Sequence, residues 1–168
     1  MEKLIKTRRL IADNWQLLKP LEGQSEVEVP TGGAVIVPLA TWQAQRETLR
    51  ARGDVGVWLD GSSDPEDIAA DLDVLPLIAI NYPTFQDGRG HSLARLLRER
   101  YGYDGELRAI GDVLRDELYY LLHVGFDAFA LRPDQNVDDC LAAFDDFTEG
   151  YQTSVLRPIP LFRRRVAA

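Results

Sequence analysis

Short apolar runs alternate along the chain with segments in which apolar residues recur at helical spacing. Residues 34–37 (AVIV) and 55–59 (VGVWL) predict strands, followed by helices over residues 39–51 and from about Ser63. Three further strand and helix pairs are predicted at 75–81 with 91–101, at 106–110 with 113–124, and at 126–131 with 137–151. Five strand-helix units in series indicate an α/β fold with a mostly parallel sheet. The unbroken apolar run LPLIAI agrees, because parallel strands are covered on both faces.

The N-terminal segment predicts an additional hairpin. In residues 10–18 (LIADNWQLL), Asp13 and Asn14 form a turn signal between apolar flanks, which favours a hairpin or an edge pair of strands. The units that follow suit either a three-layer sandwich or a partial barrel. Five units cannot close an eight-stranded barrel, so a partial barrel would expose a sheet edge and favour a homo-oligomer. At 168 residues the whole chain, 1–168, is expected to form a single domain.

The charge of the chain limits its partners. A formal net charge of -8 argues against nucleic acid as a ligand, since neutralising phosphates needs a basic face. No stretch approaches the roughly 20 apolar residues of a membrane span, and the N-terminus MEKLIKTRRL has no apolar signal core. We therefore expect a cytoplasmic protein that does not bind a membrane.

Metal and redox ligands are scarce in the sequence. One cysteine and two histidines cannot supply an iron-sulfur cluster or a zinc site of ordinary ligand count, so neither metal nor cofactor is expected. Cys140 shares a helical stripe with Phe144, Phe147 and Tyr151, which predicts a buried core thiol.

Residues 87–92 (DGRGHS) stand where an apolar strand leads into a helix. Ligands of parallel sheets gather at such strand ends, and glycines allow positive φ and close approach of the backbone. The free N–H groups of a helix start also favour an anion. The predicted anion site comprises Gly88, Arg89, Gly90 and Ser92. Two alternatives stay open, a structural turn in which Arg89 pairs with Asp87 or Asp112 and Ser92 caps the helix, or a protein-docking surface.

The same corner permits a catalytic hypothesis. Arg89 would hold an anionic metabolite, His91 would act as general acid or base, and Asp112 would orient it. The alternative for Asp112 is structural, because it is also well placed to cap the next helix.

Charged residues occur in blocks of one sign. Acidic blocks lie at residues 64–73 and 134–149, and an arginine-rich stretch lies between them at 89–115. These blocks are either solvated faces or surfaces that steer a charged protein partner.

The stretches FQDGRGHSLARLLR and LRAIGDVLRDEL carry a resemblance to a known family. From Asp60 to Tyr151, with looser agreement in IADNWQLL, the chain resembles an uncharacterised bacterial family whose members carry the label of probable oxidoreductases involved in sulfite reduction. That label comes from genes that lie beside assimilatory sulfite reductase. The resemblance implies a pathway and no catalytic residue.

Sulfite reduction transfers six electrons through siroheme and an iron-sulfur cluster, for which this chain lacks the cysteines. It also lacks a G-x-G-x-x-G dinucleotide fingerprint after a strand. We therefore expect an accessory or partner protein of sulfite reductase or its electron donor, with a small anion as a second ligand. A small enzyme acting on an anionic metabolite is the alternative.

Overall fold

The computed structural model describes residues 3–164, with the side chains from Leu4 onward. Its strands are β1 (Lys3–Lys6), β2 (Arg9–Ala12), β3 (Gln16–Leu17), β4 (Val35–Pro38), β5 (Val55–Asp60), β6 (Leu77–Tyr82), β7 (Glu106–Gly111) and β8 (Ala128–Phe129). Its α-helices are α1 (Leu39–Ala44), α2 (Arg46–Arg50), α3 (Arg89–Glu99), α4 (Leu118–His123), α5 (Val137–Ala143) and α6 (Leu161–Arg164). Short 3₁₀ helices at Pro65–Asp67, Ala69–Asp71 and Arg115–Glu117 complete the connections.

The strands form an eight-stranded sheet in the order β2-β1-β8-β7-β6-β5-β4-β3. Strands β3 to β8 are parallel and lie side by side in chain order, whereas β1 is antiparallel to both β2 and β8. The predicted mostly parallel α/β fold is therefore confirmed. The five predicted units correspond to β4 to β8 with the helices that follow them. Strand β3 lies within the predicted hairpin segment 10–18, but it pairs in parallel with β4.

Helices α1 to α5 cover one face of this sheet. Helices α1 to α5 place Trp42, Leu49, Leu93, Leu118 and Cys140 in the main core, beside alternate strand residues such as Ile78, Ile80 and Tyr82 of β6. The intervening strand residues form a second, smaller cluster without a helix residue, made of Ile36, Leu77, Ala79 and Ile110. Parallel strands wound in sequence with helices on one side give a barrel-like curl, and the sheet is a half-barrel. Of the two predicted architectures, the partial barrel agrees with the structure.

We call the helix-free side of the sheet the concave face. Residues paired across neighbouring strands share a face, so the register that aligns Ala79 with Trp58 and Arg108 places all three there. Trp15, Leu17, Trp58 and Ala130 pack against the small cluster and cover it in part.

The N-terminal hairpin lies earlier than predicted. Its strands are β1 and β2, and its turn is formed by Thr7 and Arg8, whose φ angles are 47° and 61°. Asp13, assigned to the turn from the sequence, instead accepts a hydrogen bond from the Trp15 N–H in the loop before β3. The predicted position of the turn is wrong, because positive φ at two non-glycine residues carries little sequence signal.

The last predicted helix is also shorter than expected. Cys140 and Phe144 are buried as predicted, but α5 ends at Ala143, and Phe147 and Tyr151 are exposed. Within the described chain, none of the helices has the length and apolar character required to traverse a lipid bilayer.

Candidate functional site

The Gly-Arg-Gly corner begins helix α3, and its arginine is held by a carboxylate of the same turn. Arg89 donates from Nε to Asp87 Oδ1 at 2.8 Å and from Nη2 to Asp87 Oδ2 at 2.6 Å. The hydrogen bond from the Arg89 side chain lowers the pKa of Asp87 to about 2, so this carboxylate is ionised at neutral pH. The corner therefore already contains an anion, although the Arg89 side chain remains 63% exposed.

The two glycines have ordinary backbone conformations. Gly88 has φ of −74°, and neither Gly88 nor Gly90 is among the glycines with positive φ. A Cβ on Gly90 would lie 2.7 Å from Cζ of Tyr82, so this glycine lets α3 approach β6 closely. Ser92 is exposed inside the first turn of α3 and does not cap it, because the helix already begins at Arg89.

His91 faces aromatic residues and the preceding turn. Its Nδ1 lies 3.1 Å from the Gly88 carbonyl oxygen and 3.4 Å from the Tyr82 hydroxyl. The rings of Tyr82 and Tyr120 lie 5.3 and 5.1 Å from the His91 ring. Burial lowers the pKa of His91 below the ordinary value of 6.5, which favours the neutral imidazole.

Asp112 joins two loops at the carboxyl ends of the strands. Its Oδ2 accepts from the Phe85 N–H at 2.9 Å, and its Oδ1 accepts from Arg132 Nη1 at 2.8 Å. The backbone hydrogen bond from Phe85, and then the one from Arg132, lower the pKa of Asp112. The residue is not a helix cap, because the next helical turn begins at Arg115 after Leu114. In the described part of the chain, no hydrogen bond joins Arg89, His91 and Asp112 to one another.

Several carboxylates of the acidic blocks are paired with arginines. Asp71, in the first acidic block, is buried and accepts from Trp42 Nε1 at 2.8 Å and from both Arg46 and Arg50. In the second block, Asp146 binds Arg115 at 2.8 Å, and Asp145 binds Arg8. These members of the acidic blocks belong to the fold and are not free docking charges.

A chain of four ionised side chains crosses the concave face. Lys6 Nζ lies 2.6 Å from Glu106 Oε2, and Glu106 Oε1 accepts from Arg108 Nε at 2.7 Å. Arg108 also donates from Nη1 to Asp13 Oδ2 at 2.8 Å. The Arg108 side chain is only 2% exposed, so it holds its charge in the interior through two carboxylates.

A cavity of about 660 Å³ opens beside this network. Its wall includes Arg108 and Ile110 of β7, the segment from Asp13 to Leu17, Lys19, and the residues that follow β8. A smaller cavity of about 220 Å³ shares Leu17, Lys19 and Ile110 with it and extends to Trp58 and Asn81. The two cavities together form a groove near the carboxyl ends of the parallel strands.

The sequence did not predict this groove. The sequence feature that could have indicated the groove is the pair Glu106 and Arg108. These two charged residues are two positions apart in a strand and therefore lie on one face, in a segment that was treated as apolar. The partners Asp13 and Lys6 could not be identified from sequence, since they lie in the mispositioned hairpin and its exit.

A second surface feature lies between α4 and the segment after α5. Tyr119, Tyr120, His123 and Tyr151 line a groove of about 400 Å³. Phe147 packs edge-on against Tyr119, with ring centroids 5.0 Å apart. We call Tyr119, Tyr120, Phe147 and Tyr151 the aromatic patch. Tyr151 is 80% exposed, and Tyr120 and Phe147 are also largely exposed.

Metal ligands do not cluster in the part of the chain that the structure describes. Across residues 3–164 no three His, Cys, Asp or Glu side chains are grouped in a way that would hold a metal ion. Cys140 is buried in the main core, and burial raises the pKa of its thiol.

Comparison with protein families gives a match over residues 56–162, more than half of the 168-residue chain, to a bacterial protein family of unknown function, DUF934. The chain belongs to this family. The matched region contains the Gly-Arg-Gly corner, Arg108 and the aromatic patch. The groove-lining residues of the N-terminal part, Asp13 to Leu17, Lys19 and Ile36, precede it. A search of curated proteins found no match.

Proposed function

We propose that this chain is an accessory protein of sulfite reduction that binds sulfite reductase or its electron donor through the aromatic patch. The observation that carries the proposal is the exposure of Tyr120, Phe147 and Tyr151 on one continuous surface. The identity of the partner comes from the resemblance to the family labelled for sulfite reduction.

Exposed aromatic residues in contact with one another are characteristic of protein interfaces. Tyrosine and phenylalanine are enriched at such interfaces, since each buries a large area with few rotatable bonds. Contiguous apolar surface is otherwise uncommon on a soluble monomer. The groove between Tyr119 and Tyr151 supplies a concave receptor for a side chain of the partner.

Apolar docking agrees better with the structure than charge steering does. Arg115 of the arginine-rich stretch pairs with Asp146 of the second acidic block, and within the arginine-rich stretch Arg95 pairs with Glu99. Such internal pairs reduce the charge available to a partner. We therefore expect the association to depend only weakly on salt.

The experiment is a binding titration of the purified chain with sulfite reductase and, separately, with its electron donor. Replacing Phe147 and Tyr151 with serine removes the two most exposed aromatic rings of the patch, and neither residue is buried. We expect binding to weaken by at least about tenfold, the loss of one interface hot spot. The matched control is Leu21→Ser, which removes a side chain that is 72% exposed and lies outside the patch.

Three results would contradict the proposal. One is no binding of the native chain to either protein, together with normal growth on sulfate of a strain that lacks it. The second is an equal loss of binding in the Leu21→Ser control. The third is a dimer that dissociates only in the Phe147→Ser, Tyr151→Ser variant, which would assign the patch to a second copy of this chain.

A small anion at the Gly-Arg-Gly corner is a further part of this proposal. The anion would have to compete with Asp87 for the Arg89 guanidinium. Titration of the native chain and an Asp87→Asn variant with sulfite tests this competition. Tighter binding to the variant supports a site at Arg89, and equal or absent binding to both contradicts it.

A further inference from the structure

The concave groove has the features of a ligand site, independently of the aromatic patch. It lies on the helix-free face near the carboxyl ends of parallel strands, where ligands of strand-helix folds bind. Its main cavity of about 660 Å³ lies in the range of roughly 300 to 1,000 Å³ that is typical of metabolite pockets.

The charges at the main cavity leave an excess of one positive charge, whereas Asp60, which accepts a hydrogen bond from Asn81 of the smaller cavity, lies outside its lining. The lining contains Lys19, Arg108 and Asp13, and the network behind it adds Lys6 and Glu106. Three cations against two carboxylates give a sum of +1, in a chain whose formal net charge is -8. A ligand with one negative charge would neutralise this excess.

Arg108 is oriented to contact such a ligand. Asp13 and Glu106 fix its Nη1 and Nε, and no hydrogen bond from its Nη2 is found within residues 4–164. A guanidinium that is already immobilised loses little conformational freedom when its remaining N–H groups bind an oxyanion. Lys19 at the rim has no ion-pair partner among the described side chains, and it lines both cavities.

The rest of the wall fits an apolar body. Leu17, Ile36, Ile110 and Ala130 form apolar wall, and Trp15 adds a large aromatic surface. An inorganic oxyanion would fill only a small part of a cavity of this size and would leave these side chains in contact with water.

We propose that the concave groove binds an organic molecule with a flat apolar body and one negatively charged group. Arg108 and Lys19 contact the anionic group, and Trp15 and Ile110 contact the body.

Two dyes with the same body test the ligand class. Anilinonaphthalene sulfonate carries one negative charge, and phenylnaphthylamine is the same ring system without it. We expect the sulfonate to bind at a single site and about tenfold more tightly than the neutral dye, the effect of one charge-assisted contact. Sodium sulfate alone should compete only weakly.

Variants locate the site on the full chain. Lys19→Met should weaken binding of the sulfonate by about tenfold, whereas Arg100→Met, which also removes one exposed positive charge, should leave it unchanged. Ala130→Trp fills the cavity and should abolish binding while the far-UV circular dichroism stays native. The Phe147→Ser, Tyr151→Ser variant should bind the dye normally, which separates this site from the proposed docking surface.

Equal affinity of the two dyes would overturn the charge requirement. Binding of the sulfonate that is insensitive to both Lys19→Met and Ala130→Trp would place the dye elsewhere and overturn the site. If only the Phe147→Ser, Tyr151→Ser variant lost dye binding, the dye would likewise lie outside the concave groove, and the proposed site would be overturned. None of these results bears on whether the chain associates with sulfite reductase.

Discussion

Arg108 in β7 and Asp13 in the loop before β3 are 95 residues apart in sequence, and Arg108 Nη1 donates to Asp13 Oδ2 at 2.8 Å. This ion pair holds the N-terminal segment against the concave face of the half-barrel. It also defines one wall of the cavity, so the same contact serves the fold and the proposed ligand site.

Removing one member of this pair should destabilise the chain strongly. Asp13→Ala leaves the buried Arg108 with one carboxylate partner instead of two. We expect the free energy of unfolding to fall by about 3 to 5 kcal/mol, as for other broken buried pairs. Urea titration monitored by tryptophan fluorescence measures the loss. Arg95→Met breaks the exposed Arg95–Glu99 pair and should cost less than about 1 kcal/mol. Similar losses in the two variants would show that the Arg108 network is no stronger than a surface pair.

The two glycines beside Arg89 should respond differently to alanine. Gly90→Ala places a Cβ within 2.7 Å of the Tyr82 ring and should destabilise the chain by about 1 to 3 kcal/mol, as overpacking does. At Gly88 the nearest atom to an added Cβ is His91 Nδ1 at 3.9 Å, so Gly88→Ala should change stability by less than about 1 kcal/mol. Thermal unfolding of both variants measures the contrast. Equal melting temperatures would mean that α3 does not pack on β6 through Gly90.

Asp71 should give the chain an acid-sensitive contribution to stability. Burial is the largest influence on this carboxyl and opposes ionisation, but the hydrogen bonds from Arg46 and Trp42 and the charges of Arg46 and Arg50 lower its pKa overall. A carboxyl with a lowered folded pKa stabilises the fold above its unfolded pKa of about 3.9, and this contribution is lost as pH falls through the folded pKa. Asp71→Asn should therefore cost about 2 kcal/mol at pH 7, with a smaller difference near pH 3. A difference independent of pH would contradict the assignment.

His91 should titrate below the usual range of histidine. Because burial lowers its pKa from 6.5, the neutral ring is favoured in the folded chain. Because the unfolded chain binds the proton more readily, the contribution of His91 to the free energy of unfolding is fully present above its unfolded pKa. This contribution is lost as pH falls through the folded pKa. NMR titration of the imidazole signals measures this, and His123→Gln assigns the signals because the sequence has only two histidines. An elevated pKa would instead indicate that a negative group faces the ring.

The positions of strands and helices were predicted correctly where one face or both faces of the element are continuously apolar. Strands β5 and β6 and helix α3 lie within one or two residues of their predicted positions, because their burial depends on their own pattern. Contacts made over long sequence separations were not predictable. Helix α5 ends at Ala143, and the nearby Asp145 and Asp146 pair with Arg8 and Arg115.

In the candidate site, too, the locally encoded features were predictable and the long-range contacts were not. The corner at Arg89 was located correctly at a strand-to-helix transition, but the sequence left Asp87 and Asp112 open as partners of Arg89, and the structure has Asp87. The concave groove depends on a hairpin that pairs with the last strand of the sheet, and no local pattern encodes that pairing.

The pairing of Ile5 with Phe129 has a consequence for synthesis on the ribosome. Strand β1 pairs with β2 within the hairpin, but its other neighbour, β8, is translated after all the other strands of the sheet. The β1 edge of the hairpin therefore stays unpaired while β3 to β7 assemble beside one another. Chains that stall before Ala128 would thus present β1 and β7 as two open edges, which makes translation of β8 the step that protects these edges from aggregation.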